Sequence, residues 1–141
     1  MSPSPSPLLQ DDYIALAGFR YALRKFLRFS KEFLASRDLS PEQYEALLAV
    51  RSFASEAGLL VGQLSERLQV RHHSTVALTK KMVARGLVTK ERSSTDRRQV
   101  AIRLTQAGRE ALEAMAVVHR EALRLYTPEI MAALRYLEKK D

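Results

Sequence analysis

The 141 residues contain no cysteine and no tryptophan, and only five glycines and five prolines. The missing thiols exclude disulfide scaffolds, cysteine-ligated zinc, thiol nucleophiles and cysteine redox switches together. The glycines stand singly at 18, 58, 62, 86 and 108, so no glycine-rich loop is available to cradle a phosphate. Apolar runs are a few residues long, so no bilayer span is expected, and no signal-peptide core is legible. No carboxylate pair, nucleophile–base couple or metal-ligand cluster can be read, and neither an enzyme, a cofactor nor a metal site is expected. What remains is the composition of one soluble globular domain of a reducing compartment, 46% hydrophobic and 28% charged.

That domain is basic, with 23 Lys and Arg against 16 Asp and Glu, a net charge of +7. The excess is concentrated. Arg67, Arg71, Lys80, Lys81, Arg85, Lys90, Arg92, Arg97, Arg98 and Arg103 fall in one quarter of the chain with only Glu91 and Asp96 to oppose them. That segment carries +8 and the rest of the chain −1. A solvated surface usually mixes its signs, so a concentrated excess points to a polyanion.

Along the chain, the opening Ser-Pro repeat has nothing to bury, and residues 1–9 read as a disordered tail. From about 10 to 36, Ile14, Ala17, Tyr21, Leu23, Phe26, Leu27, Phe33 and Leu34 recur at three- and four-residue steps. They predict a long amphipathic helix, over-rich in aromatics for one facing only water. Ser40-Pro41-Glu42-Gln43 is a helix start with Ser40 as N-cap and Gln43 placed for a capping box. This second helix is expected to reach about Phe53, burying Tyr44, Leu47, Leu48 and Val50. Gly58 breaks the chain, and a short helix at about 61–68 buries Leu64 and Leu68. The tight turn Gln69-Val70-Arg71 leads into a helix at about 72–85 that Gly86 terminates. On it Thr75, Leu78, Thr79 and Met82 share one face and belong to the core. The opposite face carries His73, Ala77, Lys80 and Ala84, flanked by Val76 and Lys81.

After Gly86 the period changes. Leu87–Thr89 and Val100–Leu104 read as two strands joined by the polar, basic loop Ser93–Arg98. Thr105 then caps a helix to about 125, and Thr127-Pro128 is read as the start of a final helix to about 139. The expected fold is mainly α with a small β-hairpin, in the order α-α-α-α-β-β-α-α. Two short helices joined by a tight turn and followed by a basic hairpin make a winged helix-turn-helix. Such a unit suits duplex DNA, with a helix for the major groove and a hairpin loop for the adjacent minor groove.

The ordered set Leu64-Ser65-Glu66-Arg67-Leu68, Gly86-Leu87-Val88, and Asp96-Arg97-Arg98-Gln99-Val100 closing in Leu104-Thr105 before Gly108 resembles the DNA-binding core of the MarR family of bacterial transcription regulators. Leu39-Ser40 with Gln43-Tyr44 falls where that family places dimerisation and ligand-pocket helices, so the resemblance covers about residues 10–140. It implies a winged helix-turn-helix over 39–105, a helical dimerisation region over 10–38 and 106–141, and a bacterial cytoplasmic setting. It also implies that Arg98 is the wing arginine entering the minor groove and Asp96 the carboxylate that orients it; the bland reading of that pair is a loop ion pair. Two departures stand out. Arg71, followed by His72-His73-Ser74, opens the second motif helix where relatives often place Ser or Asp. Leu60, Val61 and Gly62 leave the first motif helix without a clear cap.

The remaining assignments come from the residues themselves. Lys80, Lys81, Arg71 and Arg92 are candidates for phosphate contacts, and Arg97 either meets phosphate or stays solvated. Ser74, Val76 and Ala77 are placed to read base edges or thymine methyls. His72 and His73 admit bonds to bases or phosphate, or plain solvation; as a zinc pair their adjacent spacing is wrong. The aromatic first helix reads as a dimer interface. A compatible, resemblance-based reading adds a pocket for a small aromatic anion, with Tyr13, Tyr21, Arg24, Tyr44 and Leu47 as lining and Arg20 or Arg24 facing a carboxylate. The expected function is a homodimeric repressor of a pseudo-palindromic operator, released by an effector. The alternative is an architectural DNA binder with little sequence preference and no effector.

Overall fold

The computed structural model describes residues 6–139. Most of the Ser/Pro tail therefore lies outside the described residues. Five helices and three strands follow in the order α1 (Gln10–Ala35), α2 (Pro41–Phe53), β1 (Leu59–Leu60), α3 (Val61–Leu68), α4 (His72–Ala84), β2 (Val88–Arg92), β3 (Val100–Leu104) and α5 (Gln106–Glu138). The mainly helical class with a small hairpin is the one the sequence predicts. Two compact units result. One takes the chain up to Glu32 and from Val118 onward, the other Phe33–Val117.

In the second unit, α2 begins as its sequence dictates. Gln43 N–H donates to Ser40 Oγ at 3.1 Å, and Ser40 N–H donates back to Gln43 Oε1 at 3.1 Å. A cap of this kind is worth about 1 kcal/mol. Around α2 a core closes from every element of the unit, with Leu34, Leu47, Leu64 and Ile102 each 0% exposed. Each such side chain contributes roughly 2 kcal/mol of transfer free energy. Leu48 does not join them. It is 40% exposed, because Tyr44, Leu47 and Val50 already fill the inward arc of the helix.

The sheet has the antiparallel order β1-β3-β2, with Leu59 opposite Ile102, and Val88 opposite Leu104. The strand β1 is absent from the sequence reading. Two residues carry no period, and they become a strand only because β3 runs beside them. At the end of α4, Gly86 takes φ 73°, its N–H bonding Val83 O at 2.9 Å while Leu87 N–H reaches Met82 O at 3.0 Å. This double closure requires the left-handed conformation that glycine adopts at least cost.

In the first unit, Ala15 and Ala22 of α1 and Ala122 and Ala133 of α5 are buried. One polar pair is buried with them, Ser30 Oγ lying 2.8 Å from His119 Nε2. Phe26 and Phe29 set their rings edge-on to the His119 imidazole at 6.1 and 6.4 Å. Lys25 reaches Glu129 at 3.2 Å and lies 4.5 Å over the Tyr21 ring.

The expected break at Thr127-Pro128 does not occur, and Pro128 lies inside a continuous α5. Proline removes one helical hydrogen bond and costs about 3 kcal/mol in a helix interior. Here the carbonyl it leaves belongs to Arg124, and both residues are exposed, so solvent can satisfy that group. Thr127 does not act as an N-cap either; its Oγ1 donates back to Leu123 O at 2.8 Å, extending the helix. The buried stripe of His119, Ala122 and Ala133 on either side of the proline favours one helix over two.

Candidate nucleic-acid interface

Helix α3 ends in a turn that Gln69 makes possible by taking φ 55°. Val70 N–H bonds Ser65 O at 3.2 Å across that turn, and Gln69 Nε2 holds Glu66 O at 2.7 Å. The start of α3, which lacks a capping side chain in the sequence, is served from inside the helix, Leu60 N–H donating to Gln63 Oε1 at 2.9 Å. The two motif helices are pinned together by Ser65 Oγ donating to Thr75 Oγ1 at 2.8 Å. Thr75, Thr79 and Met82 turn inward, each no more than 2% exposed.

The opposite face of α4 is exposed at His73, Ser74, Ala77, Lys80, Lys81 and Ala84. Val76 is drawn partly against the core, which withdraws it from the outward face. It lies with His72, Arg98 and Gln99 along a groove of about 370 Å³ between the start of α4 and the hairpin. His72 is thus turned toward the hairpin side, while His73 shares the outward side with Ala77 and Lys80.

The hairpin tip is a built loop. Ser93 Oγ accepts the N–H groups of Thr95 and Asp96 at 3.3 and 3.4 Å. Ser93 N–H donates to Gln99 O at 2.8 Å, and Gln99 N–H to Asp96 O at 2.9 Å. Asp96 accepts the Arg98 N–H at 3.0 Å and holds its guanidinium at 3.2 and 3.3 Å. That side-chain pairing, and then the backbone bond, holds the Asp96 carboxyl below the ordinary carboxylate range, burial opposing weakly. The Arg98 side chain nevertheless remains 91% exposed. It is oriented without being withdrawn.

The basic residues divide by what they already touch. Arg92, expected at phosphate, closes the loop by donating to Arg97 O at 2.7 Å, because the strand end aims it across the hairpin. Arg103 pairs with Glu91 at 3.1 Å, and Arg67 lies 3.5 Å over the Phe53 ring. Arg85 bonds Asp38 O and Gln43 Oε1. Arg71, Lys80, Lys81, Lys90 and Arg97 have no ion-pair partner among the described residues. They are the cations available to an external anion, and three of them lie on α4 or its N-cap.

Of the five expected pocket residues, two lie in one unit and three in the other. Leu47 is 0% and Tyr44 8% exposed within the core of the Phe33–Val117 unit, where burial also pushes the Tyr44 hydroxyl pKa up. Tyr13, Tyr21 and Arg24 lie on α1 in the other unit and are exposed. Tyr21 borders a groove of about 460 Å³ there, whose charged lining is Asp11 and Glu129 rather than an arginine. The sequence reading also missed Ser93, Gln99 and Arg85. A serine preceding two turn N–H groups is a usable signal for the first. Nothing local marks Arg85, whose partners lie more than forty residues earlier.

Residues 37–99 match the model of the MarR family. Among solved structures the chain is similar to AbsC, a MarR family transcriptional regulator from Streptomyces coelicolor, at 20% identity and TM-score 0.77 over 96% of this chain and 94% of that one. It is also similar to a mutant MarR from E. coli complexed with operator DNA, at 22% identity and TM-score 0.71 over 94% and 96%. MepR, a transcription regulator of the Staphylococcus aureus multidrug efflux pump MepA, aligns at 19% identity and TM-score 0.68 over 79% and 80%. A comparison with curated proteins finds no match. The structural likenesses establish a shared fold, and residues 37–99 are similar to the MarR family.

Proposed function

We propose that this chain is a sequence-specific, homodimeric DNA-binding regulator, a repressor whose grip on a pseudo-palindromic operator is released by a small effector. The observation that carries the reading is the pairing of an exposed, cation-bearing α4 face with a hairpin whose Arg98 is held outward by Asp96. In this reading α4 enters the major groove and reads bases through His73, Ser74 and Ala77, while Lys80, Lys81 and Arg71 meet phosphates. The wing brings Arg98 to the adjacent minor groove, where negative potential favours a guanidinium. The operator complex of the E. coli relative supports the same use of the fold.

The dimer is inferred from apolar surface in the first unit. Tyr13, Ile14, Leu16 and Leu27 on α1 and Leu125, Met131 and Leu134 on α5 are all at least 37% exposed. A second copy covers such a surface and sets two recognition helices in successive major grooves, roughly 10 bp apart. An effector acts by favouring a dimer whose wings are misplaced for DNA, typically worth about 1–3 kcal/mol of coupling. With no cysteine, that switch does not run on thiol oxidation. No catalytic role, cofactor or metal enters the proposal, and a bacterial cytoplasmic setting goes with it.

The test is selection of bound sequences from a random duplex DNA pool, repeated with phenolic and carboxylate ligands. An enriched pseudo-palindrome supports the regulator. Binding without enrichment supports an architectural protein instead, and loss of binding with a ligand identifies the effector class.

A further inference from the structure

Arg85 belongs to the basic segment by charge and lies one turn beyond Lys81, but its guanidinium is engaged by acceptors of the protein itself. It stands at the C-cap of α4, its N–H bonding Lys81 O at 3.1 Å, just before the left-handed Gly86. From there its guanidinium reaches the turn between α1 and α2, donating to Asp38 O and, at 3.4 Å, to Gln43 Oε1.

Both acceptors are themselves fixed. Asp38 takes φ 58°, a left-handed conformation unfavourable for a non-glycine residue. It is held there by Asp38 N–H to Ala35 O at 3.1 Å and Leu39 N–H to Leu34 O at 2.9 Å, which leaves the Asp38 carbonyl to the guanidinium. Gln43 Oε1 is the oxygen that already accepts Ser40 N–H in the α2 capping box. On the other flank of the same helix end, Thr105 Oγ1 donates to Gly86 O at 2.6 Å and Thr105 N–H to Leu87 O at 3.1 Å. The C-terminal end of α4 is therefore clamped on two sides. Only one clamp, Arg85, is a long side chain spanning elements.

We propose that Arg85 is a positioning residue for DNA recognition: by tying the C-terminal end of α4 to the α1–α2 turn and the α2 cap, it sets the angle at which the α4 face is presented to the bases. It touches neither base nor phosphate. Base readout demands placement within a few tenths of an ångström, whereas phosphate attraction tolerates displacement. Loss of the tie therefore lowers discrimination between operator and random DNA more than it lowers DNA binding itself. Both bonds come from the one nitrogen Nη1, which lies farther along the side chain than a lysine ammonium reaches, so Arg85→Lys keeps the charge but loses the tie.

This inference rests on the DNA-binding reading, and the experiment separates the two. The full-length protein and the variants Arg85→Lys and Arg85→Gln are compared for affinity to a selected operator and to random duplex, each over a salt series. Urea unfolding is followed in parallel, and backbone amide spectra of the free proteins are recorded. The expected result is that both variants stay folded and lose at least roughly tenfold in the operator-to-random ratio, about the cost of one mismatched base pair. The salt slope stays that of the wild type, and the amide signals of α4 shift in the free protein. A wild-type ratio in Arg85→Lys overturns the proposal in favour of simple charge. A salt slope reduced by about one in Arg85→Gln overturns it in favour of a phosphate contact. A lowered unfolding midpoint with an unchanged ratio assigns Arg85 to stability alone and also overturns it. A wild-type protein without preference for any duplex overturns this inference together with the proposed function, whereas a discriminating wild type with equally discriminating variants overturns this inference only.

Discussion

Asp96 and Arg98 form a closed unit at the hairpin tip, one carboxylate accepting the arginine's N–H at 3.0 Å and its guanidinium at 3.2 and 3.3 Å. An aspartate at the tip of a DNA-facing loop repels phosphate unless it holds something in place. Here it fixes a long side chain that remains solvent-exposed; if that side chain is to meet DNA as proposed, its ordering needs no further cost on binding. Asp96→Asn keeps the shape but removes the charge, and it is expected to weaken operator binding about tenfold, while Arg98→Ala weakens it at least as much. Because the Asp96 carboxyl titrates below its ordinary range in the folded protein, its hold on Arg98 is present above the usual carboxylate range and is lost as pH falls through the lowered value. Between pH 8 and pH 5, Asp96 therefore contributes no change in DNA affinity. Carboxyl chemical shifts followed through a pH titration check the sign; a carboxyl that titrates above its ordinary range contradicts it.

Lys80 and Lys81 have no ion-pair partner among the described residues, whereas Arg103 is occupied by Glu91 at 3.1 Å. Replacing both lysines by alanine is expected to reduce the slope of log affinity against log salt by roughly one to two. Arg103→Ala leaves the slope unchanged although it too removes a positive charge. Fluorescence anisotropy across a salt series reads both, and equal slopes for all three proteins contradict the division of the basic residues.

Gly108 lies where a Cβ would sit 2.0 Å from Leu87 O, the carbonyl that also accepts Thr105 N–H at 3.1 Å. Gly108→Ala must push the start of α5 away from the strand that follows α4. A destabilisation of about 3 kcal/mol is expected from such overpacking against backbone. Urea unfolding measures it, and a variant as stable as the wild type contradicts the close approach.

Leu125 and Leu134 are 78% and 42% exposed on α5. A charge at either position costs little in a monomer and much in an apolar interface. Leu125→Glu combined with Leu134→Glu is expected to give a folded monomer at micromolar concentration by sedimentation, with operator affinity reduced at least about a hundredfold as bivalency is lost. An intact dimer places the interface elsewhere.

Local signals were legible where a few neighbouring residues decide the outcome. Ser40 and Gln43 cap α2, Gly86 ends α4, and Thr105 caps α5 with Gly108 N–H on its Oγ1 at 2.9 Å. Reading failed where a distant partner decides. Leu59-Leu60 becomes a strand through Ile102 and Ala101, and Pro128 stays helical because packing outweighs a single lost hydrogen bond. At the interface, Asp96 and Arg98 are two residues apart and could be paired by eye. Arg85 and Asp38 are forty-seven apart, and only the fold brings them together. Tyr44 and Leu47, read as pocket lining, belong to the core cluster of the Phe33–Val117 unit, a placement that their spacing on α2 alone does not reveal.

The central claim, that this surface reads sequence in duplex DNA, is tested most directly by one competition measurement. The affinity of the wild-type protein for its selected operator is set against that for a scrambled duplex of equal length at physiological salt. The account predicts a ratio of at least about 10³, with two half-sites centred roughly 10 bp apart. A ratio below about ten, with binding that depends on salt alone, contradicts it.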